Sequence, residues 1–411
     1  MKLLLDQSLT HKTPDTLKNR PRCPVCAGKM KKNGTTTKGT TRWRCISPDC
    51  GASTTKKRTD LTHIADFKAF ISYTSGNHTL SQRAEARGCS RWTLNRTFEP
   101  FWLIDIPNTP DKNRIYDQVF IDGTYTNGGC LLIAASRTHV LCWHWCKTES
   151  TKAYKRLLSK LQPPLCVVLD GGLGAWLAIK ALWPNTMIQR CLVHAQRVVR
   201  RYLTSRPRTD AGKALYYLAL RLTKIKDLST AREWVTLLHE CGQVYRTFLN
   251  EKTKLPKHRD PTGTQWEFMH IRVRQAFNSL KHLANDGYLF GFLQPPPEAI
   301  EPELWVATTN SLEGGINSQL KLLARMHRGR SGERQRTMLE WWLYSKTQLP
   351  DDPVEIAKQC NWGNDQLAKV TVITHNENQA DYETGRPALY DNGIGTDYQH
   401  HIGIRKGWVG R

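Results

Sequence analysis

Between residues 115 and 195 the chain alternates short apolar runs with helical patterns in a distinctive order. Three strand-like runs come first, QVFIDGTY, GCLLIAASR and HVLCWHWCKT. The helical segment STKAYKRLLSKL then leads to the buried-strand run PLCVVLDGG, and the helical segment GAWLAIKALWP separates that run from TMIQRCLVH. Short apolar runs bounded by Gly, Pro or Asp are typical of strands. The order β-β-β-α-β-α-β predicts an α/β protein with a mixed sheet covered by helices.

The rest of the chain divides by composition and periodicity. We predict a basic N-terminal segment, a segment of short helices, the strand-rich segment, a helical insertion that ends in QPPPEAIEP, a second helical segment and a polar tail. Their bounds are 1–60, 61–108, 109–195, 196–305, 306–348 and 349–411. The tail shows little periodicity, and its composition indicates no function.

The charge of the chain favours a polyanionic partner. Lys and Arg number 60 against 36 Asp and Glu, a net charge of +24. A surplus of this size favours nucleic acid, with a membrane surface as the weaker alternative. The longest apolar run, Cys130–Ala135, is too short to cross a bilayer, so we expect no membrane partner. The N-terminal MKLLLDQS is too short for a signal peptide, so we expect a cytoplasmic protein without disulfides.

Four cysteines near the N-terminus stand in two close pairs. Cys23 and Cys26 form a C-x2-C pair, and Cys45 and Cys50 form a C-x4-C pair. The runs KMKKNG and TTRWRC between them predict a strand, a turn and a strand. Four thiolates so spaced predict a tetrahedral Zn²⁺ site in a zinc ribbon. The alternative is four unrelated buried cysteines, although so short a segment has little core to bury them in.

The same segment is rich in cations. We expect them to contact DNA phosphates, and a site that only stabilises the fold is the alternative. The cations of this group are Lys29, Lys31, Lys32, Arg42 and Arg44.

The stretch TLSQRAEARGCSRWTLNRTF, from Thr79 to Phe98, is a helix-turn-helix candidate. Gly88 suits the turn and Ser90 the cap of the second helix. We expect Leu80, Ala84 and Ala86 on the first helix, and Leu94 and Phe98 on the second, to face inward. The residues expected to face outward and read base edges are Arg91, Trp92, Asn95 and Arg96. An ordinary helical hairpin is the alternative.

Three carboxylates, each followed by glycine, are the candidate catalytic residues. Asp122 ends the strand QVFID, Asp170 ends LCVVLD, and Glu313 stands near the start of a helix in TTNSLEGGIN. Buried carboxylates at strand ends are costly unless they are paired or bind metal. Two such acids can bridge hard cations about 3.5–4 Å apart, as in phosphoryl-transfer sites. The alternative for each is an ordinary turn or cap residue.

The helix that carries Glu313 is unusual because two glycines follow the acid. Asn310 and Glu313 have the spacing of a capping box, so we expect Asn310 to cap the helix. Gly314 and Gly315 each cost about 1 kcal/mol relative to alanine in a helix. We expect them to remove bulk so that the helix lies close to the sheet edge or to a DNA backbone.

The ordered set Asp122, Asp170 and Glu313, with the motifs DGTY, LDGG, CLVH, TTNSLEGGIN and HRGRSGERQRTMLEWWLYSKT, resembles DDE transposases of bacterial insertion sequences related to the Mutator family. The resemblance covers residues 20–346 and is weak between 200 and 300. It implies an RNase H-like core with a five-stranded mixed sheet, interrupted by a helical insertion between the second Asp and the Glu. It also implies Mg²⁺-dependent (or Mn²⁺-dependent) cleavage of transposon ends and strand transfer.

The resemblance carries expectations about partners. Double-stranded DNA would be bound as transposon ends and as target by a homodimer or a larger assembly near the nucleoid. Arg325 and Arg328 in the second helical segment are further expected DNA contacts.

Cys191 and His194 in CLVH form a C-x2-H pair, which is half of a zinc site. Cys142, His144 and Cys146 in CWHWC could complete it only if the third strand ends nearby. The resembling family carries this pair beside the active site. We therefore expect Cys191 to pack under the sheet and His194 to support the carboxylates or a phosphate, with Asn310 also close to them. A plain core position is the remaining alternative.

Three rival functions fit parts of the pattern. A non-catalytic DNA-binding regulator would need the N-terminal modules but not three acids. A nuclease of the same fold would need the acids but no modules that recognise DNA ends. A nucleotide site at GGLGAW matches only a fragment of the glycine fingerprint.

Overall fold

The computed structural model describes residues 20–37, 39–55, 59–254 and 266–369. The chain divides into two compact units, Met1–Asp66 and Phe67–Arg411. The first unit holds a three-stranded antiparallel sheet in the order β1-β2-β3. The strands are β1 (Met30–Thr35), β2 (Thr41–Cys45) and β3 (Ser53–Thr55).

The core of the first unit is very small. Its buried residues are Cys23, Met30, Trp43 and Cys45. Domains of this size bury too little apolar surface to be stable without a cross-link or a bound metal. We therefore expect this unit to need a cross-link or a bound metal in order to fold.

The second unit is built on a five-stranded mixed sheet in the order β6-β5-β4-β7-β8. The first three strands pair antiparallel, while β4 with β7 and β7 with β8 pair parallel. The strands are β4 (Gln118–Thr126), β5 (Gly129–Ala135), β6 (Val140–Cys146), β7 (Cys166–Leu169) and β8 (Met187–Arg190). The mixed sheet predicted from the sequence is confirmed.

Two helices make the crossovers between the later strands. They are α4 (Thr151–Leu158), before β7, and α5 (Leu173–Leu182), before β8. The Ser150 side chain caps α4 by accepting a hydrogen bond from the backbone N–H of Ala153. Apolar residues at helical spacing in α4 join one core with Ile121 and Leu169 of the sheet. One face of the sheet is thereby buried under these helices.

A helical insertion follows β8. Its helices are α6 (Leu192–Leu203), α7 (Asp210–Arg221), α8 (Leu228–Val244), α9 (Arg246–Asn250) and α10 (Ile271–Asn285). A short antiparallel pair, β9 (Lys252–Lys254) and β10 (Trp266–Phe268), lies between α9 and α10. Trp234 of α8 is fully buried and belongs to the same core as the sheet. The described residues of 196–305 are mostly helical, as predicted, but the first helix begins at Leu192 and the β9–β10 pair was not predicted.

After the insertion the chain returns to the sheet through a π-helical turn, Ser311–Asn317, followed by α11 (Ser318–Met326) and α12 (Gly332–Tyr344). Two short helices come next, α13 (Pro353–Gln359) and α14 (Asn364–Lys369).

The short helices α13 and α14 were not predicted, because the stretch after residue 349 is polar and shows little periodicity. Trp362, between them, packs with ring centroids 6.0 Å from Phe67 and 6.5 Å from Phe101. Its buried ring anchors this stretch, so the prediction of an unpatterned tail is wrong for residues 353–369. Residues 370–411 lie outside the described residues.

Three helices precede the sheet, α1 (Thr59–Ser75), α2 (Leu80–Ala86) and α3 (Arg91–Phe98). Ser90 caps α3 as predicted, because its side chain accepts from the Thr93 N–H, and Gly88 takes a φ of +64° in the turn. The expected inward position of Ala86 is wrong, since it is exposed. No helix in the described ranges is long and apolar enough to span a bilayer.

A buried histidine joins these helices to the end of α11. His327 Nε2 lies 2.7 Å from the Gly76 carbonyl, and Arg330 Nη2 lies 3.2 Å from His327 Nδ1. A carbonyl can only accept and a guanidinium can only donate, so Nε2 carries the proton and His327 is neutral. The Arg330 guanidinium also lies 4.1 Å from the Tyr73 ring centroid. Burial, with the positive charge of Arg330, lowers the pKa of His327.

This contact predicts a pH-dependent stability. Because the folded-state pKa of His327 lies below its ordinary value of about 6.5, the unfolded chain binds more protons below that pH. The free energy of unfolding should therefore fall as pH drops from 7.5 to 5.5, and less steeply in His327→Gln. Urea unfolding at several pH values measures this difference. The exposed His78→Gln variant is the control, and equal slopes for His327→Gln and wild type would contradict the assignment.

Candidate functional site

Three polar residues lie level with one another just past the parallel pairing of β4, β7 and β8. The prediction that Asp122 ends its strand is wrong, because β4 continues to Thr126 along its antiparallel neighbour β5. Asp122, Asp170 and Cys191 each follow the last paired residue of the two parallel ladders. The Cys191 N–H continues the ladder by donating to the Leu169 carbonyl at 2.9 Å. Residues that are level on parallel strands point to the same face. The two aspartates, 7% and 8% exposed, are therefore buried side by side on the face opposite the main core.

The glycine after each aspartate makes room for a buried charged side chain. A Cβ at Gly123 would lie 2.6 Å from Oε1 of Glu149, a buried carboxylate that also accepts from the Tyr154 hydroxyl at 2.9 Å. A Cβ at Gly171 would collide with the guanidinium of Arg190, and the φ of Gly171 is +97°. The sequence alone did not point to Glu149 or Arg190.

A segment of the returning chain lies across this row. Thr309, Glu313 and Asn317 are spaced four residues apart along it. The backbone N–H and hydroxyl of Thr309 each lie 3.4 Å from Cys191 Sγ, and the hydroxyl also bonds to Glu313. Asn317 Nδ2 donates to Asp122 Oδ2 at 2.6 Å. The segment is therefore fastened to both β4 and the end of β8.

Glu313 contacts two basic side chains, Arg197 and His194. Its Oε2 lies 3.1 Å from Nη1 of Arg197, and its Oε1 lies 3.3 Å from Nδ1 of His194. Ligand atoms of Cys191, His194 and Glu313 all lie within 4.8 Å of one another. Asp122, Asp170 and Glu313 form no such group among the described residues. The structure does not bring the three predicted catalytic acids together.

Cys191 and His194 form a polarised pair. Burial alone would raise the pKa of the Cys191 thiol, but a hydrogen bond with His194 outweighs it and lowers that pKa. Burial alone would lower the pKa of His194, but Cys191, Asp170 and Glu313 raise it. Both shifts favour a thiolate beside an imidazolium. The raised pKa makes His194 easier to protonate beside Glu313 and Asp170, while its Nε2 lies 3.4 Å from Nη1 of Arg197, which can only donate a hydrogen bond.

The third strand does not complete a metal site with this pair. Cys142, His144 and Cys146 lie on β6, at the opposite edge of the sheet from β8. Burial raises the pKa of Cys142 to about 12 and lowers that of His144 to about 4. These values are typical of core residues.

The two glycines after Glu313 do not allow the close internal packing that we expected. A Cβ at Gly314 or Gly315 would meet nothing within 4 Å, and both are exposed. Close approach to the sheet edge is therefore the wrong reason for them, while approach to DNA stays a prediction. Asn310 is also not the helix cap, because it is exposed, has helical backbone angles and makes no capping hydrogen bond. The Thr309 hydroxyl, rather than the Asn310 side chain, donates a hydrogen bond to Glu313.

One oxygen beside Asp122 lacks a hydrogen-bond partner. A carboxylate only accepts, so the amide of Asn317 must present Nδ2 to Asp122. Its Oδ1 then has no partner, although Asn317 is only 1% exposed. The buried Thr124 Oγ1, two residues after Asp122, has none either. The sequence alone did not single out Asn317, Thr309 or Arg197; only the four-residue spacing from Glu313 marks the first two.

The four N-terminal cysteines converge in the first unit. The Sγ atoms of Cys23 and Cys50 are 3.6 Å apart, those of Cys26 and Cys45 are 3.5 Å apart, and all four lie within 4.8 Å of one another. Tetrahedral zinc with bonds of about 2.3 Å would space its sulfurs about 3.8 Å apart. Backbone N–H groups of Cys26 and Val25 lower the pKa of Cys23 to about 7, which favours a thiolate. The cluster can hold a metal ion and is compatible with zinc.

The exposed face of this sheet concentrates positive charge. Lys31 lies directly opposite Arg44 across β1 and β2, and Arg42 lies two residues before Arg44 on the same face. All three are exposed. Like charges directly opposite each other destabilise a sheet, and a bound polyanion relieves the repulsion.

The residues expected to read bases are only partly exposed. Arg91, Trp92 and Arg96 are exposed, and the Arg96 guanidinium lies 5.4 Å from the Trp92 ring centroid. Asn95 is half-buried and accepts a hydrogen bond from Arg334 Nη1 at 3.2 Å. The outward position expected of Asn95 is therefore wrong. Arg325 and Arg328, the other expected DNA contacts, are exposed.

Comparisons with protein-family models and with curated proteins returned no match to this chain. What the protein does is therefore inferred from its own residues.

The cysteine geometry predicts about one tightly bound zinc per chain. Cys23→Ser and Cys45→Ser should each lose that zinc and destabilise the first unit, because its core is too small to fold alone. Metal analysis of purified protein measures the loss. Cys89→Ser, a cysteine outside the cluster, should keep the zinc. Wild-type protein prepared without chelator that carries no zinc would refute the site.

Proposed function

We propose that the protein is a DNA transposase that binds insertion-sequence ends and catalyses metal-dependent cleavage and strand transfer. The observation that supports this most is the pair of buried aspartates, Asp122 and Asp170, level on neighbouring parallel strands. They lie at the centre of a mixed five-stranded sheet compatible with an RNase H-like core. A helix that carries a third acid, Glu313, lies across that end of the sheet.

The oxygen atoms of Asp122, Asp170 and Asn317 are suitable ligands for a hard divalent cation. Asp122 and Asp170 offer buried carboxylate oxygens, and Asn317 Oδ1 beside them lacks a partner. Mg²⁺ or Mn²⁺ bound there would supply an activated water and neutralise charge on a phosphate. The aspartates would hold the ion, and their burial would limit the access of bulk water to it.

Glu313 would join the aspartates when DNA binds. Its partner Arg197 has a side chain that is 54% exposed, whereas that of Glu313 is 23% exposed. A DNA phosphate can therefore take the place of Glu313 on Arg197, because guanidinium groups bind phosphate through paired hydrogen bonds. The released carboxylate could then turn toward the field of Asp170, with His194 beside both.

DNA binding is assigned to the two N-terminal modules. The cationic face around Lys31 and Arg44 would contact phosphates without regard to sequence. The exposed face of α3, with Arg91, Trp92 and Arg96, would read bases as the second helix of a helix-turn-helix. The net charge of +24 supports a polyanionic partner for both.

A non-catalytic regulator derived from a transposase is the second candidate. The observation that favours it is the bond of Glu313 to Arg197 and His194, which leaves the acid away from the aspartates. Such a protein would bind DNA ends and would neither cleave nor join them.

Substitution of the acids separates the two candidates. Asp122→Asn, Asp170→Asn and Glu313→Gln should each abolish cleavage and strand transfer on labelled end DNA, while end binding survives. Each substitution removes a carboxylate charge at nearly constant shape. Gel assays with Mg²⁺ or Mn²⁺ measure both activities. Wild-type protein that binds ends but never cuts them would favour the regulator, and full activity in any variant would exclude that acid.

The DNA-binding assignment predicts different losses for two cations. Arg91→Ala should weaken binding to end DNA by about 1–3 kcal/mol and leave random DNA much less affected, because a base contact is lost. Lys31→Ala should weaken both DNAs alike and flatten the salt dependence, because a phosphate contact is lost. Competition binding at several salt concentrations measures both. Equal losses on the two DNAs for Arg91→Ala would show that α3 does not read bases.

A further inference from the structure

Asn317 is buried in a way that its hydrogen bonds do not explain. It is 1% exposed, and one of its two polar atoms is used, Nδ2 to Asp122 at 2.6 Å. Its carbonyl oxygen, Oδ1, has no hydrogen-bond partner among the residues that the structure describes. Native structures rarely bury such an oxygen without a partner, and an ion is one explanation for it.

The surroundings of Asn317 are rich in oxygen donors. Asp122 is in direct contact with it, Asp170 is level with Asp122 on the next strand, and the buried Thr124 Oγ1 lies two residues along on the same face of β4. Carboxylates, amide carbonyls and hydroxyls are the donors that Mg²⁺ and Mn²⁺ prefer. Among these groups, the carboxylates carry the charge that attracts a cation.

Two basic side chains of the site lie at the other end of the segment. Arg197 and His194 both contact Glu313, four residues before Asn317. The π-helical turn Ser311–Asn317 carries both side chains, and such turns are frequent at functional sites. Near its start, the turn therefore places Glu313 against Arg197 and His194. At its end, it places the amide of Asn317 against Asp122.

We propose that Asn317 is a direct ligand of a hard divalent cation that Asp122 and Asp170 also bind, and that this site forms before Glu313 joins it. Rotation of the amide by half a turn exchanges Nδ2 for Oδ1 and faces the carbonyl oxygen toward the ion. The positive ion would offset the charge of Asp122, in place of the hydrogen bond that the neutral amide donates to it. This inference deepens the proposed function and rests on it.

The test measures metal affinity in the absence of DNA. Full-length, zinc-loaded protein is titrated with Mn²⁺, and the free ion is followed by its paramagnetic resonance signal. Asn317→Leu, which keeps the shape but removes the oxygen, should raise the Mn²⁺ dissociation constant about tenfold or more. Asn317→Asp should restore or tighten binding, because it offers a carboxylate oxygen. Gln319→Leu, an exposed amide on α11, is the matched control and should bind like wild type.

Two further variants test which acids bind the ion in the absence of DNA. Asp122→Asn should weaken Mn²⁺ binding as Asn317→Leu does, whereas Glu313→Gln should leave the DNA-free affinity unchanged. Thermal unfolding without Mn²⁺ shows whether each variant is folded. If Asn317→Leu does not fold, the Mn²⁺ affinity of Asn317→Asp is compared with that of wild type instead.

The outcomes separate this inference from the proposed function. Wild-type affinity in Asn317→Leu, with weak binding in Asp122→Asn, would overturn the role of Asn317 and leave the metal site standing. Equal weakening by leucine and aspartate would also overturn it, because neither donates a hydrogen bond and the role would be donation alone. Unchanged affinity in Asp122→Asn as well would overturn both the inference and the metal-dependent function.

Discussion

The parallel pairing of β4, β7 and β8 is the constraint on which the candidate site depends. It places Asp122, Asp170 and Cys191 level, since each follows the last residue of the parallel ladders between these strands. Parallel strands end at the same edge of a sheet, and their level residues share a face. The returning segment can then fasten to both sides of the row, through Asn317 on Asp122 and Thr309 on Cys191. Without that alignment these groups would be scattered over a hundred residues of sequence.

The main electrostatic problem at this edge is the burial of several charges close together. Glu149 and Arg190 are buried where Gly123 and Gly171 leave room for them, while the aspartates are buried on the other face. Buried charges are tolerated when they are paired, bonded or bound to metal. Cys191, Asp170 and Glu313 raise the pKa of His194, which favours a positive charge near these two acids. A divalent cation at Asp122 would compensate the remaining buried negative charge. The stability of this part of the sheet would then be linked to the proposed chemistry.

The excess of arginine has two different structural uses. Arg325 and Arg328 are exposed and remain available to a polyanion. Arg330 packs on Tyr73 beside His327, and Arg334 bonds to Asn95. These internal contacts join α1 and α3 to the chain that follows the candidate site. The arginines of a basic run therefore need not all contact DNA, because guanidinium groups also pack well on aromatic rings.

The sequence by itself determined the elements whose signals are local. The strand order around Asp122 and Asp170, the cap at Ser90 and the cysteine spacing depend on neighbouring residues, and the structure agrees with each. Only the tertiary structure decided which groups meet. Glu313 bonds to Arg197 instead of the aspartates. Asn317, for which the sequence indicated no role, contacts Asp122. The sheet and the insertion bring together residues more than a hundred positions apart. Side-chain direction and burial across such distances are set by packing, which periodicity along the chain does not encode.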